Sequence, residues 1–151
     1  SKTYSIPGIR VGWVASNTEV ADILRDYRDY TMICAGVFDD MVATLVLENK
    51  EAILKRNRQI VEENLALMDA WIAKEPKVSW VRPASVSTSF VKLDVNRPIE
   101  DFALELLQDY GVLVVPGNRF DKESHVRIGY CCDKEVLQKG LEKLSQFLNK
   151  C

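Results

Sequence analysis

The stretch Ser1-Lys2-Thr3-Tyr4-Ser5-Ile6-Pro7-Gly8-Ile9-Arg10-Val11-Gly12-Trp13 places a lysine eight positions before an arginine, with a Pro-Gly turn between them. A primary amine on a loop can form a Schiff base with an aldehyde cofactor, and a guanidinium at the start of the next element can fork onto a phosphate. Together they read as half of an active site. From Gly8 to Ala15, Ile9, Val11 and Trp13 alternate with Arg10, Gly12 and Val14. This period of two predicts a strand with Arg10 and Gly12 on one face. Gly12 leaves the space beside the guanidinium open, and a lysine in place of Arg10 would offer a point charge without the fork. Taken singly, Lys2 reads as a solvated surface residue and Arg10 as one half of a strand-edge salt bridge. The shared register of Lys2, Pro7, Gly8, Arg10 and Gly12 favours chemistry.

The 151 residues are 47% hydrophobic and 28% charged, with a formal net charge of -2. That composition fits one ordinary soluble domain with a flanking piece of another. No basic cluster interleaved with aromatics points to nucleic acid, and no apolar run approaches the ~20 residues that span a bilayer. No signal-peptide pattern opens the sequence. Cys34, Cys131, Cys132 and Cys151 include no C-x-x-C pair, and His125 is the single histidine. They fit neither a disulfide framework nor a zinc site, so no metal is expected. They read as reduced thiols of a cytoplasmic protein, the adjacent pair small and buried or half-buried.

Beyond the opening stretch, Asn17 or Thr18 can cap a helix through Ile23, Leu24 and Tyr27. An irregular segment at Cys34 separates it from a second helix carrying Met41, Val42 and Leu45. From about Lys50 to Lys74 a stripe of Ile53, Ile60, Val61, Leu65, Met68 and Ile72 predicts one long amphipathic helix. At ~25 residues it would reach about 37 Å, enough to connect two domains. The order then reads strand, strand, helix, strand, strand, helix. The strands are expected at Val78 to Val81, Ser89 to Val95, Val112 to Val115 and Val126 to Tyr130. Pro98 and Gly111 bracket the first of these helices, with Ile99, Phe102, Ala103, Leu106, Leu107 and Tyr110 as its stripe, and Asp133 caps the last, with Leu137, Leu141, Leu144 and Leu148 inward. This describes an α+β domain, a small, mainly antiparallel sheet covered by helices.

The opening stretch resembles the cofactor-lysine motif of the class I/II aminotransferases, the fold-type I pyridoxal-phosphate enzymes of the aspartate aminotransferase superfamily. It matches at Ser1, Lys2, Tyr4, Pro7, Gly8, Arg10, Gly12 and Trp13. Val114-Val115-Pro116-Gly117-Asn118-Arg119-Phe120 is similar to that family's strand-Pro-Gly-x-x-Phe turn. His125-Val126-Arg127-Ile128-Gly129-Tyr130 is similar to the strand that carries its substrate arginine. The resemblance covers essentially the whole chain and implies the C-terminal part of the α/β PLP-transferase fold. Residues 1–49 would close the large cofactor-binding domain with a strand and helices, 50–75 would form the interdomain helix, and 76–151 would form the small α+β domain.

By the same resemblance, Lys2 holds pyridoxal 5'-phosphate as a Schiff base and shuttles the substrate proton, Arg10 binds the cofactor phosphate, and Arg127 binds the substrate α-carboxylate. Arg127 and Gly129 share one face of their strand, opposite Val126, Ile128 and Tyr130, an arrangement that can receive a planar carboxylate. Asn118, Arg119 and Phe120 either help close the site or serve turn chemistry alone. Arg25, Arg28 and Tyr30 read as a solvated helix face. Pro83-Ala84-Ser85-Val86-Ser87-Thr88-Ser89-Phe90 departs from the family's glycine-containing loop by substituting hydroxyl residues, so no relative's substrate carries over. The implied activity is amino-group transfer between an amino acid and a 2-oxo acid, in a homodimer, with no nucleic-acid or membrane partner. Alternatives are a pyridoxal-phosphate lyase or decarboxylase, or a non-catalytic dimerisation module. The remaining cofactor contacts lie upstream of the lysine in the family, so residues 1–151 alone are expected to be inactive.

Overall fold

The computed structural model describes residues 2–151. The chain divides into two compact units, one ending at Asn57 and the other running from Arg58 to Cys151.

In the first unit, helix α1 (Thr18–Thr31) starts where the Asn17 side chain accepts a hydrogen bond from the Val20 N–H at 3.0 Å. This satisfies one of the otherwise orphaned donors of the first turn. Helix α2 spans Val37–Glu48, and α3 (Lys50–Ile72) begins in this unit and continues into the next. Residues 8–15, expected as a strand, lie outside any strand. A strand exists through backbone bonds to a neighbour, and the described chain offers this segment none. Its alternation survives in part: Ile9 and Val11 are half-buried, Arg10 and Gly12 are exposed, and Trp13 breaks the pattern by being 71% exposed.

The second unit holds a four-stranded antiparallel sheet in the order β1-β2-β4-β3. Its strands are β1 (Val78–Trp80), β2 (Thr88–Leu93), β3 (Val115–Pro116) and β4 (His125–Gly129), with α4 (Ile99–Tyr110) between β2 and β3 and α5 (Lys134–Leu148) after β4. The strand and helix order is the one the sequence predicts. β3 is shorter than expected. Side-chain alternation reaches back to Leu113, but pairing with β4 covers only Val115 and Pro116, and Pro116 donates no N–H to the ladder. Gly111 ends α4 in the left-handed conformation, φ 66°, which a residue without Cβ adopts at little cost.

One face of the sheet, carrying Val91, Leu93, Val126 and Ile128, packs against Phe102 and Leu106 of α4, Leu141 and Leu144 of α5 and Leu65 and Met68 of α3. Each such fully buried side chain contributes about 1.5–3 kcal/mol by leaving water. Two α3 residues outside the expected stripe join this core. Trp71 donates its indole N–H to Ser145 Oγ at 2.8 Å. Buried Asn64 donates to the carbonyls of Tyr130 at 2.7 Å and Cys132 at 2.9 Å. Leu107, expected inward on α4, is 40% exposed. The opposite face of the sheet carries Phe90, Lys92, His125, Arg127 and Gly129.

Candidate active site

In the first unit, Lys2 leads into two successive turns. The Ser5 N–H donates to the Lys2 carbonyl at 3.4 Å, and the Ile9 N–H donates to the Ile6 carbonyl at 3.2 Å, closing the turn over Pro7 and Gly8. Proline presets the φ needed at the first central position of such a turn. Asn57, on α3, donates its side-chain amide to the Thr3 carbonyl at 2.9 Å and pins the lysine loop to the helix. Lys2 is exposed. Arg10 is also exposed, and its Nη1 donates to the Pro7 carbonyl at 2.9 Å, so the guanidinium is held against the Pro7-Gly8 turn. A Cβ added at Gly8 or Gly12 would meet nothing within 4 Å, so the surface around Arg10 is open.

In the second unit, Arg127 sits on β4, an interior strand, opposite Phe90 on β2 and Val115 on β3. Val126 and Ile128 are buried while Arg127 and Gly129 face out, as the alternation predicts. The Arg127 Cζ lies 5.3 Å from the centroid of the Phe120 ring. Arg82, Arg97 and Arg119 of this unit each pair with a carboxylate, Asp69, Glu105 and Glu100 respectively. Among the described residues, none lies within ion-pair distance of Arg127. Its donor fork is free beside a glycine whose Cβ position is empty space.

Asn118 and Arg119 both bind Glu100, Asn118 at 2.6 Å, so these two serve the turn that follows β3. Burial, then the nearby Lys122 and Lys92, holds the His125 pKa below its ordinary value. Cys131 and Cys132 are exposed, against the expectation of burial, and all four cysteines are free. Burial of part of the Cys131 surface still pushes its thiol pKa up, with Cys132 adding to the effect, which leaves it a weak nucleophile.

Residues 1–144 match the family Aminotransferase class I and II. The chain belongs to the class I and II aminotransferases. It is similar to the crystal structure of a PLP-dependent aminotransferase from Streptococcus suis 89-1591, with 66% identity and a TM-score of 0.95 over 98% of this chain and 40% of that one. It is 30% identical to capreomycidine synthase of Streptomyces vinaceus over 98% of this chain and 38% of that protein. Aspartate aminotransferase from Thermotoga maritima is 27% identical with a TM-score of 0.85, covering 97% of this chain and 38% of that one. The chain thus spans about two fifths of the length of these relatives, and over that part it has the fold of the fold-type I enzymes.

Pyridoxal phosphate is the cofactor of this aminotransferase family, and the first unit offers a donor set that fits it. An exposed primary amine suits an aldehyde, and an exposed guanidinium with a single backbone bond has N–H groups left for a phosphate. Lys2 and Arg10 share the first unit, and Arg127 stands in the second. Sequence reasoning did not find Asn57, an unremarkable polar residue within a helical stripe, because its partner lies 54 positions away. Phe90 was read within the strand expected at Ser89 to Val95 but given no part in the site, although the β2–β4 register sets it directly across from Arg127.

Proposed function

We propose that this chain is the C-terminal segment of a pyridoxal-phosphate-dependent aminotransferase that exchanges an amino group between an amino acid and a 2-oxo acid. The observation that carries this reading is Arg127, an arginine without a carboxylate partner among the described residues, beside open space at Gly129 on the outer face of the sheet. Family membership supports it. Residues 1–49 close the large domain, 50–75 link the domains, and 76–151 form the small domain. The full-length enzyme is a cytoplasmic homodimer in this reading. Among the described residues, no helix is long and apolar enough to cross a membrane.

Bound pyridoxal phosphate supplies the electron sink for charge developing at the substrate Cα. Lys2 would hold the cofactor through its aldehyde. The same amine would move a proton between the substrate Cα and the cofactor. Arg10 anchors the phosphate with paired N–H donors and so fixes the cofactor's position relative to that lysine. Arg127 grips the substrate carboxylate and orients Cα, and the serine-rich loop at 84–89 borders the side-chain end.

A second reading is supported by the likeness to capreomycidine synthase, a relative not named as a transaminase. Lys2 and Arg10 would serve other chemistry on an amino acid equally well. A decarboxylase has less use for Arg127, which holds the carboxylate such an enzyme expels.

The test uses the full-length enzyme. A visible absorption band that borohydride bleaches, with the reduced adduct mapped to Lys2, is expected. So is amino-acid-dependent conversion of a 2-oxo acid acceptor across a substrate panel. An adduct on another lysine would overturn the Lys2 role. Turnover of an amino acid without transfer to any 2-oxo acid would favour the second reading.

A further inference from the structure

The Pro-Gly turn after β3 has a consequence for Arg127. The short 3-10 turn Gly117–Phe120 ends on a phenylalanine that is 44% exposed. That ring faces Arg127, 5.3 Å from its Cζ. It is braced in turn by Phe90, which meets it edge-on at 5.8 Å and 80° and stacks on His125 at 4.9 Å and 18°. Glu100 binds the side chains of both Asn118 and Arg119 in the same turn.

An arginine meant to receive a carboxylate meets a conflict. A protein carboxylate that held it still would occupy its donors, and an arginine held by nothing samples many rotamers. An aromatic face resolves the conflict, because it attracts the cation through its ring electrons and leaves the in-plane N–H fork unoccupied. The neighbouring Arg82, Arg97 and Arg119 are each held by a carboxylate, Arg97 lying over the Phe147 ring as well, and of these four Arg127 alone has a ring and no carboxylate.

We propose that Phe120 is the positioning residue for Arg127, holding the guanidinium so that its fork is presented to the substrate carboxylate, with Phe90 bracing the ring. This rests on Arg127 being the carboxylate site.

The experiment uses the full-length enzyme with Phe120→Leu, Phe120→Tyr, Arg127→Ala and the double variant Phe120→Leu/Arg127→Ala. The readouts are kcat and KM for an amino acid substrate, kcat/KM for its decarboxylated amine, and the thermal midpoint. Phe120→Leu is expected to raise KM for the amino acid about three- to tenfold, the range of a partly exposed cation–π contact. It should change kcat by less than about twofold and leave the amine's kcat/KM unmoved. Phe120→Tyr, which keeps the ring, should restore the low KM, and in the Arg127→Ala background Phe120→Leu should add nothing.

Equal losses for amino acid and amine, or no rescue by tyrosine, would mean a purely structural role and overturn the proposal. A silent Phe120→Leu beside a defective Arg127→Ala would overturn it while leaving the carboxylate role of Arg127 intact. An Arg127→Ala variant that discriminates amino acid from amine as the native enzyme does would remove both. Should Phe120→Leu lower the thermal midpoint, Phe120→Met, flexible and ringless, is measured in its place against the same outcomes.

Discussion

The side-chain amide of Asn57 donates to the carbonyl of Thr3 at 2.9 Å, tying the residue beside Lys2 to the first turns of α3. The lysine loop has few other restraints, since its turns close through bonds of 3.2 and 3.4 Å. Asn57→Leu is therefore expected to loosen the loop with little effect on the core. The loss of one exposed bond is worth about 0.5–1.5 kcal/mol, which corresponds to roughly a two- to tenfold fall in kcat. Lys2→Ala should instead abolish turnover with unchanged stability. Faster amide exchange at Tyr4 and Ser5 in Asn57→Leu would accompany the kinetic loss. Unchanged exchange there would show that the bond restrains nothing.

Arg127→Ala should raise KM for α-carboxylate substrates and spare cofactor retention, because the cofactor contacts proposed here are on Lys2 and Arg10. Breaking a desolvated charge pair removes ~2–5 kcal/mol, and Arg127 is exposed in this chain, so the lower end of that range applies. Arg127→Lys should recover only part of the loss, since an ammonium lacks the planar fork. Cofactor release from Arg127→Ala, measured by absorbance after gel filtration, would contradict this division of roles.

The small domain was legible because its signals are local and agree with one another. Pro98, the acidic first turn at Glu100 and Asp101 and Gly111 bracket α4 as the structure has it, and Asp133 caps α5 by accepting from Glu135 and Val136. The alternation of residues 126–130 correctly put Arg127 and Gly129 outward. What escaped were features set by tertiary partners. The period of two at residues 8–15 specifies a strand only when a neighbour supplies its ladder. Asn64 looks like a flaw in an apolar stripe until the Tyr130 and Cys132 carbonyls are seen to need a donor. Phe120 and Arg127 meet only once β3 and β4 are in register.

His125 stacks on Phe90, and burial holds its pKa below the ordinary 6.5. The unfolded chain therefore takes up the proton at a higher pH than the folded one does. Stability from this residue is fully present above pH 6.5 and is lost as pH falls through the lower folded value. His125→Phe keeps the stack and removes the proton, so the acid-side decline should flatten. Urea unfolding followed by tryptophan fluorescence from pH 7.5 to ~5 checks this, since Trp71 and Trp80 belong to the same unit. An equal slope in both proteins would assign the decline to other groups.

Two glycines of the second unit should respond in opposite directions to the same substitution. At Gly117 an added Cβ would overlap the backbone carbonyls of Lys122 and His125, and backbone cannot swing aside as a side chain can. Gly117→Ala should therefore destabilise by about 1–3 kcal/mol, the typical range for forced overpacking. Because the same turn delivers Phe120, any folded Gly117→Ala enzyme should also show a raised KM for the amino acid. At Gly140, in the interior of α5, an added Cβ meets nothing within 4 Å, and the residue has no positive φ. Gly140→Ala should stabilise by roughly 0.5–1 kcal/mol through helix propensity alone and leave KM untouched. Urea midpoints and KM values for the two variants give four independent readings. A tolerated Gly117→Ala would show that the turn relaxes readily, and with it that Phe120 is not held where Arg127 needs it.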